Sequence, residues 1–367
     1  MGYEVEFEVV VQKTPDVLID LSDEWDTLLS HSVSNHVFLF SGWLRSYLEI
    51  YGKSALPLIA LVRRDGILVA AAPFQARNGI VEFIGSARSD YLDFMLSRDL
   101  GPADEVRAID TILVATKKAT PAFRYFNLGR ILLNSATATY LKDPQSRFYA
   151  IVTNSVEAPM MDIAVDEDRI NKTSLRLNEK TLGRLRKIPS NTFIQDNVIL
   201  PKLDEFFEQH IKRLSLTEYP SLFLHERNRE FYRRFTQLLD STGCLRFTTL
   251  ELDGRIIAAH FGFCYADRYL YYKPTYDVEY SKHSPGKILL KHLVEFAISD
   301  NVAEFNFGIG NEGYKGQFAT EVQQAVFFHV TDSLLLSTIE RLRIFTKNSA
   351  KLKLLDKALN KVSRLIR

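Results

Sequence analysis

Residues 246–263 read RFTTLELDGRIIAAHFGF, and the chain goes on through RYLYYKPTY (268–276), SKHSPG (281–286), KILLKHLVEFAIS (287–299) and VAEFNFGIG (302–310). Two runs rich in Thr, Ile and Phe meet at Asp253-Gly254, a dipeptide that supplies the positive φ of a tight turn, so the first segment predicts a β-hairpin. The aromatic run adds a third strand. Behind the turn Ser284-Pro285-Gly286, the residues Ile288, Leu289, His292, Leu293 and Phe296 fall at helical spacing. Free amides and the positive dipole end of such a helix favour an anion, and a coenzyme pyrophosphate is a common one. The buried strand 302–310 ends in glycines. Strand, turn, helix and return strand make a βαβ unit, which predicts two parallel strands and a ligand outside their carboxyl ends.

A weaker echo lies earlier. Residues 56–74, LPLIALVRRDGILVAAAPF, hold a second Asp-Gly hairpin at Asp65-Gly66, and a helical pattern from about Ala103 to Lys118 precedes FRYFNLG (123–129). Both copies are read as ending a strand with Phe-Asn-x-Gly, at Phe126-Asn127-Leu128-Gly129 and Phe305-Asn306-Phe307-Gly308. The expectation is two related α/β domains in tandem, residues 1–160 and 161–335, followed by a basic amphipathic helix over 336–367. Amphipathic helices are also expected at LPKLDEFFEQHIKRLSL (200–216) and NREFYRRFTQLLDSTG (228–243), leading into the second hairpin.

Composition sets outer limits. A chain of 367 residues exceeds the comfortable size of one core, and 46% hydrophobic with 25% charged residues is ordinary for a soluble globular protein. No apolar run approaches the roughly 18 residues of a spanning helix, and the start lacks the regions of a signal peptide, which predicts a cytoplasmic protein. Met1-Gly2 is followed by Glu6, where a myristoylation site has Ser or Thr. Cys244 and Cys264 are too few for a disulfide framework or a zinc site and are expected to be buried and inert. The net charge of +1 is unevenly spread: from Arg341 to Arg367, nine basic residues stand against Asp356 alone, a local excess of +8. Leu352, Leu355, Leu359, Val362 and Ile366 share one helical face there, which suits either docking on an acidic body or peripheral contact with an anionic membrane. The charged segment from Asp166 to Lys187 is a solvated helix or a basic wall beside a cleft. Nothing resembles a nucleic-acid-binding module.

Trp25, Phe40-Ser41-Gly42-Trp43-Leu44, the early hairpin, Ser89-Asp90-Tyr91-Leu92-Asp93-Phe94, the hairpin at Asp253, Tyr276-Asp277, Ser284-Pro285-Gly286 and Tyr314-Lys315 occur in an order that resembles the CelD/BcsL-like proteins. These are members of the GNAT acetyltransferase superfamily linked to cellulose and exopolysaccharide biosynthesis, with two tandem GNAT-like domains as in the FemABX aminoacyltransferases. The resemblance spans roughly residues 20 to 330. It implies an α/β (α+β) fold with two mixed, mostly antiparallel sheets, and acyl transfer from acetyl-CoA or a longer acyl-CoA, without a metal, to an amine or hydroxyl of a small-molecule or saccharide acceptor. Charged tRNA would replace the thioester in a FemABX-like enzyme, and a non-catalytic GNAT-like binding protein is the other alternative. One departure is plain: the phosphate turn has a single glycine, Gly286, after Pro285, and proline removes an amide donor.

Within that frame His283, Ser284, Gly286, Lys287 and Ile288 are the expected coenzyme residues, through the amides of Gly286, Lys287 and Ile288 and the Lys287 ammonium. Transfer needs a base, donors to polarise the thioester and an acid for the thiolate. His260 is a candidate base or a hydrogen-bonded core histidine. Asp277 orients a base or an acceptor amine, or caps a loop. Tyr314 is placed to protonate a thiolate and Lys315 to hold a phosphate or the acceptor, unless the pair is the first turn of a surface helix. Asp90, Tyr91 and Asp93 line an acceptor groove or belong to a half-buried strand.

Overall fold

Among the described residues four tight turns join neighbouring antiparallel strands, and three of them use the Asp-Gly or Asn-Gly chemistry of two-residue hairpins. The structure, a computed structural model, describes residues 6–163, 192–196, 199–239 and 242–347. The segment Asp166 to Lys187 and the chain beyond Lys347 lie outside the described residues. Two compact units divide the chain, one built from residues up to Val156 and from Gln324 onward, the other from Glu157 to Gln323.

In the first unit β1 (Glu8–Gln12) pairs antiparallel with β2 (Leu56–Arg64), which turns at Asp65 (φ 52°) and Gly66 (φ 78°) into β3 (Ile67–Arg77), so that Arg64 faces Ile67. A second hairpin, absent from the expectations, turns at Asn78-Gly79 into β4 (Ile80–Phe83). The short β5 (Met95–Leu96) pairs with β3. The helix Pro102–Ala119 covers the crossover to β6 (Tyr125–Leu132), which lies parallel to β4 with Val81 opposite Phe126. Leaving the core side of these strands, Phe74, Phe83, Phe94 and Phe126 pack with ring centroids 5.0 to 6.0 Å apart. Both tryptophans are fully buried and satisfied: Trp25 Nε1 donates to the Leu39 carbonyl at 2.8 Å and Trp43 Nε1 to Ser89 Oγ at 3.1 Å. The run Ser89 to Phe94 is a loop rather than a strand. Its amides are used locally, the Leu92 N–H on the Arg130 carbonyl at 3.1 Å and the Phe94 N–H on the Asp93 carboxylate at 2.8 Å.

In the second unit the end of β7 (Tyr149–Asp162) pairs with the return strand, and the order runs β7, Glu304–Asn306, then the aromatic strand and the Asp253 hairpin, with β8 (Thr192–Asp196) outermost. Here β9 (Leu245–Leu252) turns at Asp253 and Gly254 into β10 (Arg255–Tyr265), and β11 (Arg268–Tyr276) follows through Ala266 and Asp267, both at positive φ. The strand β12 (Glu304–Asn306) lies parallel to β11, with the helix Pro285–Ser299 as the crossover. That helix buries Leu289, Leu290, Leu293, Val294 and Ala297. His292, expected on the apolar face, is exposed instead, because the buried stripe runs one position further round. The helices Leu203–Leu214 and Glu226–Leu239 form where their patterns predict, with Phe206, Phe207, Phe231, Tyr232 and Phe235 in the core. Both cysteines are free; Cys244 is buried, but Cys264 at the end of β10 is only half-buried.

Candidate functional site

The strand β11 carries a bulge: Phe261 faces Lys273 whereas Phe263 faces Leu270, so β11 spends one residue more than β10 around Tyr271 and Tyr272. A bulge frees a ladder amide, which must find an acceptor in the core. The Tyr272 N–H donates to His260 Nε2 at 3.2 Å. The His260 ring lies over Gly262, where an added Cβ would stand 2.1 Å from His260 Cε1, and it stacks on Tyr271 at 4.6 Å. Fully buried, His260 is held neutral, its pKa pulled down to about 3 by desolvation. Its surroundings are those of a core histidine that caps the bulge.

Past the bulge, β11 opens onto a cleft of about 240 Å³ lined by Arg213, Tyr271, Thr275, Tyr276, Ser284, Gly286, Lys287 and Tyr314, among others. It lies outside the carboxyl ends of the parallel pair β11 and β12 and at the start of the helix Pro285–Ser299. Ser284 caps that helix in the left-handed region, φ 54° and ψ 48°, a conformation that costs a non-glycine residue about 1–2 kcal/mol. The Ser284 carbonyl takes the Lys287 and Ile288 amides at 3.0 and 3.3 Å. Two of the three amides expected to meet an anion are therefore occupied, and the Gly286 N–H is left. His283 and Ile288 do not line the cleft. The Lys287 side chain is exposed at its mouth.

Arg213, missed in the sequence, enters from the last turn of the helix Leu203–Leu214 with its guanidinium 5.5 Å from the Tyr276 ring centre. Among the described residues no carboxylate pairs with it, and its buried Nε has no hydrogen-bond partner. A second orphan, Thr275 Oγ1, belongs to a side chain only 1% exposed that lines the same cleft. Two buried donors without partners beside a free helix amide describe a place for a ligand rich in acceptors. Tyr314 stands on the far side. Burial, and then the charge of Glu312, raise its pKa above that of a free phenol, while Arg213 opposes them, so the phenol keeps its proton at neutral pH.

The remaining candidates are spent elsewhere. Lys315 is buried with its Nζ on the Ile309 carbonyl at 2.9 Å and on Glu312 at 2.8 Å, which fixes the loop that carries Tyr314. Asp277 accepts the Glu279 amide at 3.1 Å and pairs with Arg255, which also holds Glu279 at 2.9 Å. The network tethers the turn Val278–His283 ahead of the cleft. In the first unit Tyr91 stacks on His36 at 5.1 Å, and buried Asp93 accepts the Ser34 hydroxyl at 2.9 Å with its pKa raised by burial. Asp90 is half-buried, and none of these three lines the cleft.

Residues 173–316 match the family model described as an acetyltransferase (GNAT) domain. The fold resembles a crystal structure of FemX at 10% identity, covering 91% of this chain and 100% of that one with a TM-score of 0.64. It also resembles the C-terminal domain of a putative lysylphosphatidylglycerol synthetase from Agrobacterium fabrum, at 9% identity, 89% and 95% coverage and a TM-score of 0.54. L-PGS from Bacillus licheniformis is similar at 10% identity, 94% and 96% coverage and a TM-score of 0.51. No curated protein matches the sequence. The architecture is thus mixed α/β, each unit a mostly antiparallel sheet flanked by helices, and the cleft lies in the stretch that matches the acetyltransferase domain.

Proposed function

We propose that the protein moves an acetyl or longer acyl group from acyl-CoA to an amine or hydroxyl of a sugar-, polysaccharide- or cell-envelope-related acceptor. The observation that carries this reading is the orphaned pair Arg213 Nε and Thr275 Oγ1 beside the free Gly286 amide, in a cleft that also holds a protonated phenol. A coenzyme diphosphate fits these groups: the Gly286 N–H and the exposed Lys287 ammonium meet one phosphate from the helix end, and Arg213 meets the other across the cleft. Single-glycine turns supply fewer amides, and Arg213 offsets that loss with fixed positive charge.

Transfer then proceeds in a ternary complex with no covalent enzyme intermediate. The acceptor lone pair attacks the thioester carbonyl, the tetrahedral adduct collapses as the C–S bond breaks, and Tyr314 Oη delivers its proton to the departing sulfur. The acceptor gives up its proton to solvent, and the tyrosinate regains one the same way. His260, with its ring buried and neutral, acts on this chemistry through the bulge and Tyr271; Asp277 and Lys315 act by fixing the two loops of the cleft.

Melting temperature with acetyl-CoA and with a medium-chain acyl-CoA tests the site. Ligand at about 100 times its dissociation constant should add about 2.7 kcal/mol, and the gain should vanish in Gly286→Glu, whose side chain fills the cleft mouth. Tyr314→Phe should retain that stabilisation while kcat falls about 100-fold. Absence of any shift with both thioesters, with stabilisation by aminoacyl-tRNA instead, would sink the thioester reading in favour of an aminoacyl donor.

A further inference from the structure

The helix Leu334–Lys347 is packed the wrong way round for a water-facing helix. At 3.6 residues per turn its exposed positions Leu334, Leu335, Thr338, Arg341, Leu342 and Phe345 fall within an arc of about 120°. Four of those six are large and apolar, with Leu334 61%, Leu335 56%, Leu342 44% and Phe345 69% exposed. The opposite side buries Ser337 and Ile339 and carries the ion pair Glu340–Arg343 at 2.6 Å. An amphipathic helix normally turns such an arc inward.

We infer that this face lies on an anionic phospholipid surface. The charge of the chain selects that occupant. Arg341 sits on the edge of the apolar arc, and the sequence from Arg341 to Arg367 holds nine basic residues against Asp356 alone. Apolar side chains flanked by cations are what an interface-lying helix needs, the former entering the acyl boundary and the latter meeting phosphate headgroups. A second copy of the chain would bring two segments of +8 together. Among the described residues no helix is long and apolar enough to cross a membrane.

Sedimentation of the full-length chain with phosphatidylcholine vesicles, with and without phosphatidylglycerol, tests it. The expected result is at least ~10-fold more protein on the anionic vesicles, released by high salt, and loss of that binding in Leu335→Glu/Phe345→Glu with unchanged melting temperature. Equal recovery on both vesicle types, or binding that survives the double substitution, overturns the proposal. So does a dimer in gel filtration that the substitution dissolves, which assigns the face to a second copy. A marked fall in melting temperature of the variant also overturns it, by assigning the face to the chain's own C-terminal segment.

Discussion

Across Gly262 the His260 ring finds room only because no Cβ stands there. Gly262→Ala places a methyl 2.1 Å from His260 Cε1 and 2.5 Å from the Leu270 carbonyl oxygen, and the second of these is backbone that cannot step aside. Such overpacking in a strand interior should cost about 3 kcal/mol or more, read as a lower midpoint in urea unfolding, and acyl-CoA binding should weaken with it because Tyr271 rests on the displaced ring. A loss under about 1 kcal/mol would mean that the ring is free to move and does not hold the bulge. The sequence places a histidine on the inner face of that strand, but the bulge it serves arises from a register shift between two strands, which no local pattern records. Arg213 was illegible for a related reason: on its own helix nothing local sets it apart from its neighbour Lys212, and only the packing of that helix over β11 brings it to Tyr276. Ser284, Gly286, Lys287 and Tyr314 were legible because a turn before a helix and a glycine-rich strand exit are local signals.

Hairpins and the crossover helix carry the same lesson between elements. Asp65-Gly66 and Asp253-Gly254 both turn as their residue types demand, and each unit then runs hairpin, helix and parallel strand. The repeated Phe-Asn-x-Gly, by contrast, is one pattern put to two uses. In the second unit Asn306 Oδ1 accepts the Gly308 amide at 2.9 Å and the strand ends there. In the first unit β6 continues to Leu132, and Gly129 lies under Phe327, whose ring would be 2.4 Å from an added Cβ. Two turn glycines separate backbone strain from crowding. Gly254 has φ +76° with nothing within 4 Å, so Gly254→Ala should cost only the left-handed penalty of about 1–2 kcal/mol. Gly79, at φ +75°, faces the Ala122 carbonyl oxygen 2.0 Å from the position of a Cβ, and its own carbonyl accepts the Arg124 amide at 2.8 Å. Gly79→Ala should therefore lose the clash energy as well, and its unfolding midpoint should fall clearly below that of Gly254→Ala; equal losses would contradict the close approach of the turn to Ala122.

Across the molecule as a whole, two buried histidines couple folding to pH. His260 is held near 3 by desolvation, and His210, with Nδ1 2.8 Å from Ser221 Oγ, is brought down to about 3 by burial first and by the charges of Arg213 and Lys273 after it. Both rings stay neutral in the folded protein over the mildly acidic range, whereas in the unfolded chain they take up protons near pH 6.5. The unfolded state therefore binds more protons between pH 6.5 and 3, and stability must rise with pH across that window. Their contribution is fully present above about pH 6.5 and is lost progressively as pH falls toward the folded value. Between pH 7.5 and 5.5 each ring should cost about 1.4 kcal/mol, so that together they remove about 3 kcal/mol of stability. Buried Asp93 acts with the opposite sign, because burial raises its pKa above that of a free carboxyl and the folded state holds its proton to higher pH than the unfolded chain does. The histidine contribution is isolated by His210→Gln, whose amide keeps a polar partner for Ser221: the urea-unfolding free energy of this variant should change less between pH 7.5 and 5.5 than that of the unsubstituted protein, by about 1.4 kcal/mol. An unchanged pH slope would show that His210 protonates inside the fold.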